Sequence, residues 1–103
     1  MVAFANEPTP LFELGRVVST PGAIQALENA GVDGRALLAR HERGDWGNLS
    51  AADRQANDDA LKDGTRLLSS YVLPTGAKIW LVTEAVGDDG HREVTTLLLP
   101  DEY

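Results

Sequence analysis

The chain has 103 residues, 43% of them hydrophobic and 24% charged, with no cysteine and a formal net charge of −7. That length fits one domain with one modest core, and the lack of cysteine excludes a disulfide framework or a thiolate metal centre. The acidic balance argues against general nucleic-acid binding, which needs clustered Lys and Arg against phosphate; here Arg16, Arg35, Arg40, Arg43, Arg54, Lys62, Arg66, Lys78 and Arg92 are scattered. Acidity instead favours solubility or a partner with a basic surface. No stretch approaches the roughly 18 apolar residues of a membrane span. The opening MVAFANEPTP lacks the basic start and apolar core of a signal peptide, so a cytoplasmic location is expected.

Residues 1–10, with prolines at 8 and 10, read as an N-terminal arm, and 11–103 as a single domain. Leu11, Phe12, Leu14, Val17 and Val18 read as a short strand, in which Gly15 marks a bulge or a close contact. Thr20 is placed to cap a helix with Pro21 at its first position. Ala23, Ile24, Leu27 and Ala30 trace one face of that helix, and Gly31 ends it. Asp33 caps a second helix with Ala36, Leu37, Leu38 and the ring of His41 on its inner side. Gly44 stops it, and Arg40 and Arg43 suit the negative end of its dipole. Ser50 opens a third helix with Asp53 at N3 as a short capping-box acid. Ala52, Ala56, Ala60 and Leu61 suggest a narrow packing stripe, and Gly64 closes the helix.

From residue 65 the pattern turns to β-formers: TRLLSSYVL, AKIWLVTEAV and HREVTTLLL, joined by PTG and the looser GDDG. The predicted architecture is α+β: an N-terminal short strand, three helices, then a three-stranded antiparallel β-meander with the helices packed on one sheet face. Ile79 to Val82 are apolar on both faces, so both faces of the middle strand are expected to be covered.

The densest chemistry lies in HERGDWGNLS, residues 41–50, where His41, Arg43, Asp45 and Trp46 stand between and beside Gly44 and Gly47. As punctuation, His41 suits a helix C-terminus, Asp45 turns the loop and Trp46 plugs the gap between helices and sheet. As a site, an indole beside a His–Asp pair could bind a small ligand or shape a general base. His41 and Asp45 lie four apart, but two ligands do not make a metal site and Gly44 breaks the helix between them, so no metal and no cofactor is expected. A second group, Tyr71, Trp80, Thr83, Glu84, Thr95 and Thr96, falls on the paired strands. It reads as a polar pocket around Glu84 or, more simply, as a cross-strand ladder of hydroxyls on a solvated face. Phosphate-loop, dinucleotide, HExxH and GxSxG patterns do not occur.

The pieces FELGRVVSTPGAIQALE, RHERGDWG, KIWLVTEA and TTLLLPDEY resemble a family of small uncharacterised bacterial proteins of plasmids and other mobile elements. The resemblance spans Phe12 to Tyr103 and implies a bacterial, cytoplasmic setting without implying a chemistry. The element order is also similar to that of RelE/ParE-type toxins, a likeness of topology alone. Three functions are therefore in view. The first is a non-catalytic protein-interaction or regulatory factor of a mobile element that meets a basic protein, with no direct contact to nucleic acid or membrane. The second is a small enzyme or ligand-binding domain with His41, Asp45, Trp46, Tyr71 and Glu84 in one cleft. The third is a member or partner of a toxin system. Candidate contact residues are His41, Arg43, Asp45, Trp46, Tyr71, Trp80 and Glu84.

Overall fold

The computed structural model describes residues 9–103, so most of the N-terminal arm assigned to residues 1–10 lies outside the described residues. Strand β1 (Arg16–Ser19) is followed by helices α1 (Pro21–Ala30), α2 (Gly34–Glu42) and α3 (Ala51–Asp63). Strands β2 (Leu67–Val72), β3 (Lys78–Thr83) and β4 (Val94–Leu98) come next, and a single 3-10 turn spans Pro100–Glu102. The fold is α+β.

Local chemistry accounts for the helix ends. Thr20 Oγ1 accepts the Ala23 N–H at 3.1 Å, the Asp33 carboxylate accepts the Arg35 N–H at 2.9 Å, and Ser50 Oγ accepts the Asp53 N–H at 3.1 Å. Each side chain satisfies one of the donors that a helix start leaves unpaired. Gly31 and Gly64 end α1 and α3 in the left-handed region. The Pro74–Gly76 turn is closed by the Gly76 N–H on the Leu73 carbonyl at 2.8 Å.

The sheet order is β1-β4-β3-β2. Strands β2, β3 and β4 run antiparallel, with Ser69 opposite Leu81 and Thr83 opposite Thr95. The expectation of a three-stranded antiparallel meander is corrected by β1, which pairs in parallel with β4, Val17 opposite Thr95. The sheet is therefore four-stranded and mixed. Three helices provide a crossover long enough to bring the chain back in the same direction, which a hairpin cannot do.

One sheet face carries the main core. Ala23 and Leu27 of α1 and Leu37 of α2 pack with Tyr71, Ile79, Leu81 and Leu97. A second cluster joins Trp46, Ala60 of α3 and Leu67. The opposite face is covered more thinly. Trp80 is half-buried there and meets Tyr103 edge-to-face, with ring centroids 5.6 Å apart, while Val82 is 3% exposed. Three positions expected on the packing faces of α1 and α3 are not inside: Ala52 and Ala56 are exposed, and Ile24 is 47% exposed. The inner position of α3 is taken instead by Asn57, because β2 presents backbone donors and acceptors there rather than an apolar surface.

Candidate functional site

The edge of β2 fixes the GDWG loop. Asn57 Nδ2 donates to the Leu68 carbonyl at 2.7 Å, and Asn57 Oδ1 accepts the Leu68 N–H at 3.1 Å. One residue pair further on, the Ser70 N–H donates to the Trp46 carbonyl at 3.1 Å and the Asn48 N–H to the Ser70 carbonyl at 2.6 Å. Gly47 thus forms a parallel bridge with Ser70. Its φ is +77°, and a Cβ there would overlap the Ser70 carbonyl oxygen and the Tyr71 ring, so only glycine fits. Asp45 stabilises the turn through the Gly47 N–H at 3.3 Å. It also pairs with Arg40, whose Nε lies 2.7 Å from Oδ2, and that guanidinium holds the Asp45 carboxyl below the usual carboxylate range.

His41 is wholly buried, 0% exposed, and sits on the helix-covered sheet face. Its Nδ1 is 2.5 Å from Ser69 Oγ and its Nε2 is 2.8 Å from Thr83 Oγ1. Thr83 Oγ1 is 2.7 Å from Thr95 Oγ1, which donates to the Leu14 carbonyl at 2.7 Å. The last bond fixes the direction of all the others. Thr95 gives its only hydroxyl proton to Leu14, so it accepts from Thr83. Thr83 must then accept from His41 Nε2–H, and Nδ1 accepts from the Ser69 hydroxyl. His41 is the neutral Nε2–H tautomer. Desolvation, with a smaller contribution from the Arg92 charge, brings its pKa down to about 4. The expected hydroxyl ladder between Thr83 and Thr95 exists, but on the buried face rather than a solvated one.

Trp46 is 5% exposed and plugs the junction as its loop position suggests. Its Nε1–H donates to Asp58 at 3.2 Å. Phe12 stacks on it at 6.1 Å and meets the His41 ring edge-to-face at 5.0 Å. Tyr71 is also buried: its hydroxyl donates to the Asp45 carbonyl at 2.6 Å, and its ring carries the Arg40 guanidinium 4.5 Å from the centroid. Burial pushes the Tyr71 hydroxyl up to about 12.

The candidates therefore do not share one cleft. His41 and Trp46 lie inside, Asp45 and Tyr71 meet at the loop, and the Arg43 side chain is exposed. Trp80 stands on the opposite sheet face from Tyr71, since Ser70 is its cross-strand partner and Tyr71 pairs with Ile79. Glu84 is exposed beyond the end of β3 and contributes its carbonyl, not its carboxylate, to the structure. The pairing of His41 with Asp45 as ligands fails on geometry, because each is committed to other partners. Among the described residues no group of three or more His, Asp or Glu is placed to hold a metal ion.

Arg92 carries a role that linear spacing did not reveal. It is 5% exposed, and its guanidinium donates to the carbonyls of Thr65 at 2.7 Å, Glu84 at 3.0 Å and Ala60 at 3.2 Å. It thereby ties the C-terminal turn of α3 to the start of β2 and the end of β3. The Glu13 carboxylate accepts the Arg92 N–H at 2.8 Å and contacts His91 Nδ1 at 2.9 Å. For Asn57 a signal was present, a polar residue three positions before the buried Ala60 on one helix face.

Comparison of the chain with protein-family models, with curated proteins and with solved structures gives no match. The Ser69–His41 contact has the composition of a nucleophile and its base. Both residues are fully buried, however, and both ring nitrogens are bonded within the protein. A substrate has no route to them in this conformation, and the constellation acts as a polar clamp joining α2 to β2, β3 and β4.

Proposed function

We propose that the chain is a small non-catalytic interaction factor, a regulatory protein of a bacterial mobile element acting in the cytoplasm, whose partner is a protein with a basic surface. The observation that carries this reading is the closure of the reaction-capable groups. His41, Ser69, Thr83 and Thr95 have no exposed surface and saturate one another. What faces solvent is acidic: the chain has 16 Asp and Glu against 9 Lys and Arg, and no described Asp or Glu is buried. Surface charge of one sign speeds encounter with a basic partner and repels polyanions.

The test is affinity capture with the immobilised chain from a bacterial host, followed by titration of the purified captured protein across a salt series. The expected partner is basic, and its affinity falls as salt rises, since rim charges are screened over roughly 8 Å at physiological ionic strength. Gel-shift against duplex DNA and single-stranded RNA at low salt should show no complex at micromolar protein. A complex there, or turnover assigned to the exposed Asp45–Arg40 loop, would replace this reading with a nucleic-acid-binding or enzymatic one.

A further inference from the structure

The fold does not use the whole of the Arg92 guanidinium. Such a group has five N–H donors. Nη1 gives both of its hydrogens, to the Thr65 and Glu84 carbonyls, and Nη2 gives one to the Ala60 carbonyl. Nε–H and one Nη2–H have no acceptor among the described residues. Arg92 also forms no ion pair with a described carboxylate, although it is only 5% exposed. No buried side-chain nitrogen or oxygen among the described residues lacks a partner, so the unpartnered Nε reaches open space. The space beside Arg92 is an open cavity of about 540 Å³, within the range of roughly 300–1,000 Å³ common for small-molecule sites.

The segment before β1, the last turn of α3 and the loop between β3 and β4 build that cavity. Phe12, Leu61 and Val86 supply an apolar wall, and Val86 is 41% exposed. The charged lining is balanced, Arg92 and Lys62 against Glu13 and Asp63. Glu13 is committed to the Arg92 N–H and to His91. Asp63 is only half used. The Thr65 N–H at 3.1 Å and the Thr65 hydroxyl at 2.7 Å both end on Oδ1, and Oδ2 has no partner among the described residues. Asp63 is also the last residue of α3, where the helix dipole adds to its negative charge. Its charge acts on Arg92 more than that of Glu13 does, yet the two side chains form no ion pair. A free guanidinium edge, a free carboxylate oxygen and an apolar wall thus share one cavity.

We propose that this cavity binds an apolar α-amino acid as its zwitterion. The ligand carboxylate takes the free hydrogens on Nε and Nη2 of Arg92, neighbouring donors that match the two oxygens of one carboxylate. The ammonium group meets Asp63 Oδ2, and the side chain lies on Phe12, Leu61 and Val86. Charge selects this class. A ligand with an anionic group alone is opposed by Glu13 and Asp63, and one with a cationic group alone by Arg92 and Lys62. A zwitterion is complementary to both pairs and carries no net charge for the chain's −7 to repel. The inference is independent of the basic-partner reading.

The experiment titrates the full chain, labelled with nitrogen-15, with L-leucine and L-phenylalanine. Three further probes each lack one feature of leucine: leucinamide the carboxylate, isocaproate the ammonium group and glycine the side chain. At least one of the two amino acids should bind saturably at or below about 1 mM, as fits a ligand of so few atoms. The shifts should centre on the Arg92 Nε–H resonance and on the amides of residues 61–64 and Val86. Each of the three reduced probes should bind at least tenfold more weakly than leucine. Asp63→Asn keeps an oxygen for Thr65 and removes the charge; it should weaken the amino acid at least tenfold while isocaproate binds as before or more tightly. Val86→Asp places a charge on the apolar wall and should weaken both. Arg92→Lys should abolish binding where it folds, and if it does not fold the other two variants decide. The inference is overturned if neither amino acid binds saturably below about 10 mM, or if leucinamide or isocaproate binds as well as leucine. Shifts centred away from the cavity, or an amino-acid affinity unchanged by Asp63→Asn, would overturn it equally. None of these outcomes bears on the basic-partner reading, which the salt series tests separately.

Discussion

Acidification should destabilise this protein over two successive pH ranges, the first set by His41. In the unfolded chain an imidazole titrates at 6.5, whereas in the folded protein His41 titrates at about 4, so the two states differ by about 2.5 units. Above the unfolded value both states hold the ring neutral and stability is complete. Between the two values the unfolded chain binds a proton that the folded protein refuses, so stability falls as pH falls. Below about 4 both are protonated and His41 removes no more. The full loss is about 3 kcal/mol, of which about 2 kcal/mol is already gone at pH 5. The physical cause is specific. A proton on Nδ1 turns that nitrogen into a donor against the Ser69 hydroxyl, which then loses its acceptor, and it places a cation in a fully buried position. The assay is urea unfolding followed by tryptophan fluorescence between pH 8 and pH 4.5, beside an NMR titration of the His41 ring. The carboxylates held low by their partners, Asp45 by Arg40 and Glu13 by the Arg92 N–H, act only at lower pH and set the second range. Stability that stays level from pH 8 to pH 5, or a His41 resonance titrating near 6.5, would refute both the assigned tautomer chain and the burial argument.

Trp46→Ala should cost about 3–5 kcal/mol in denaturant unfolding, as for other large-to-small changes at buried aromatic positions; a melting temperature that barely moves would mean that the indole is not the plug described. Asn57→Ala leaves the Leu68 N–H and C=O without their partner and should cost about 1–3 kcal/mol, with faster amide exchange confined at first to the β2 edge. Arg92→Lys keeps the charge but cannot reach the Ala60, Thr65 and Glu84 carbonyls together. It should destabilise by about 1–3 kcal/mol, and a thermal melt equal to that of the unaltered protein would count against the three-carbonyl bridge.

Local signals set every helix boundary here. Thr20, Asp33 and Ser50 cap through bonds that reach only two or three residues along the chain, and Gly31 and Gly64 relax a φ that other residues resist. Such chemistry is complete within one turn of helix, so the sequence by itself carries it, as it carries the β-forming composition of 65–99 and the tight Pro74–Gly76 turn. Burial of Trp46 was legible too, because an indole between two glycines after a helix has few places to go except inward. Tertiary structure alone decided where β1 pairs. Its partner β4 lies 78 positions away, Arg16 opposite Val94, and nothing in the apolar run from Leu11 to Val18 encodes a direction of pairing. The same holds for the polar clamp. His41, Ser69, Thr83 and Thr95 belong to four elements, and each is an ordinary residue in its own segment. Their meeting turns a loop-edge histidine, which the sequence offered as a candidate base, into a buried and neutral strut. Asn57 and Arg92 follow the same logic: their burial is tolerable only because distant backbone carbonyls and an N–H arrive to bond them, and the position of those groups is a property of the assembled sheet rather than of any stretch of chain.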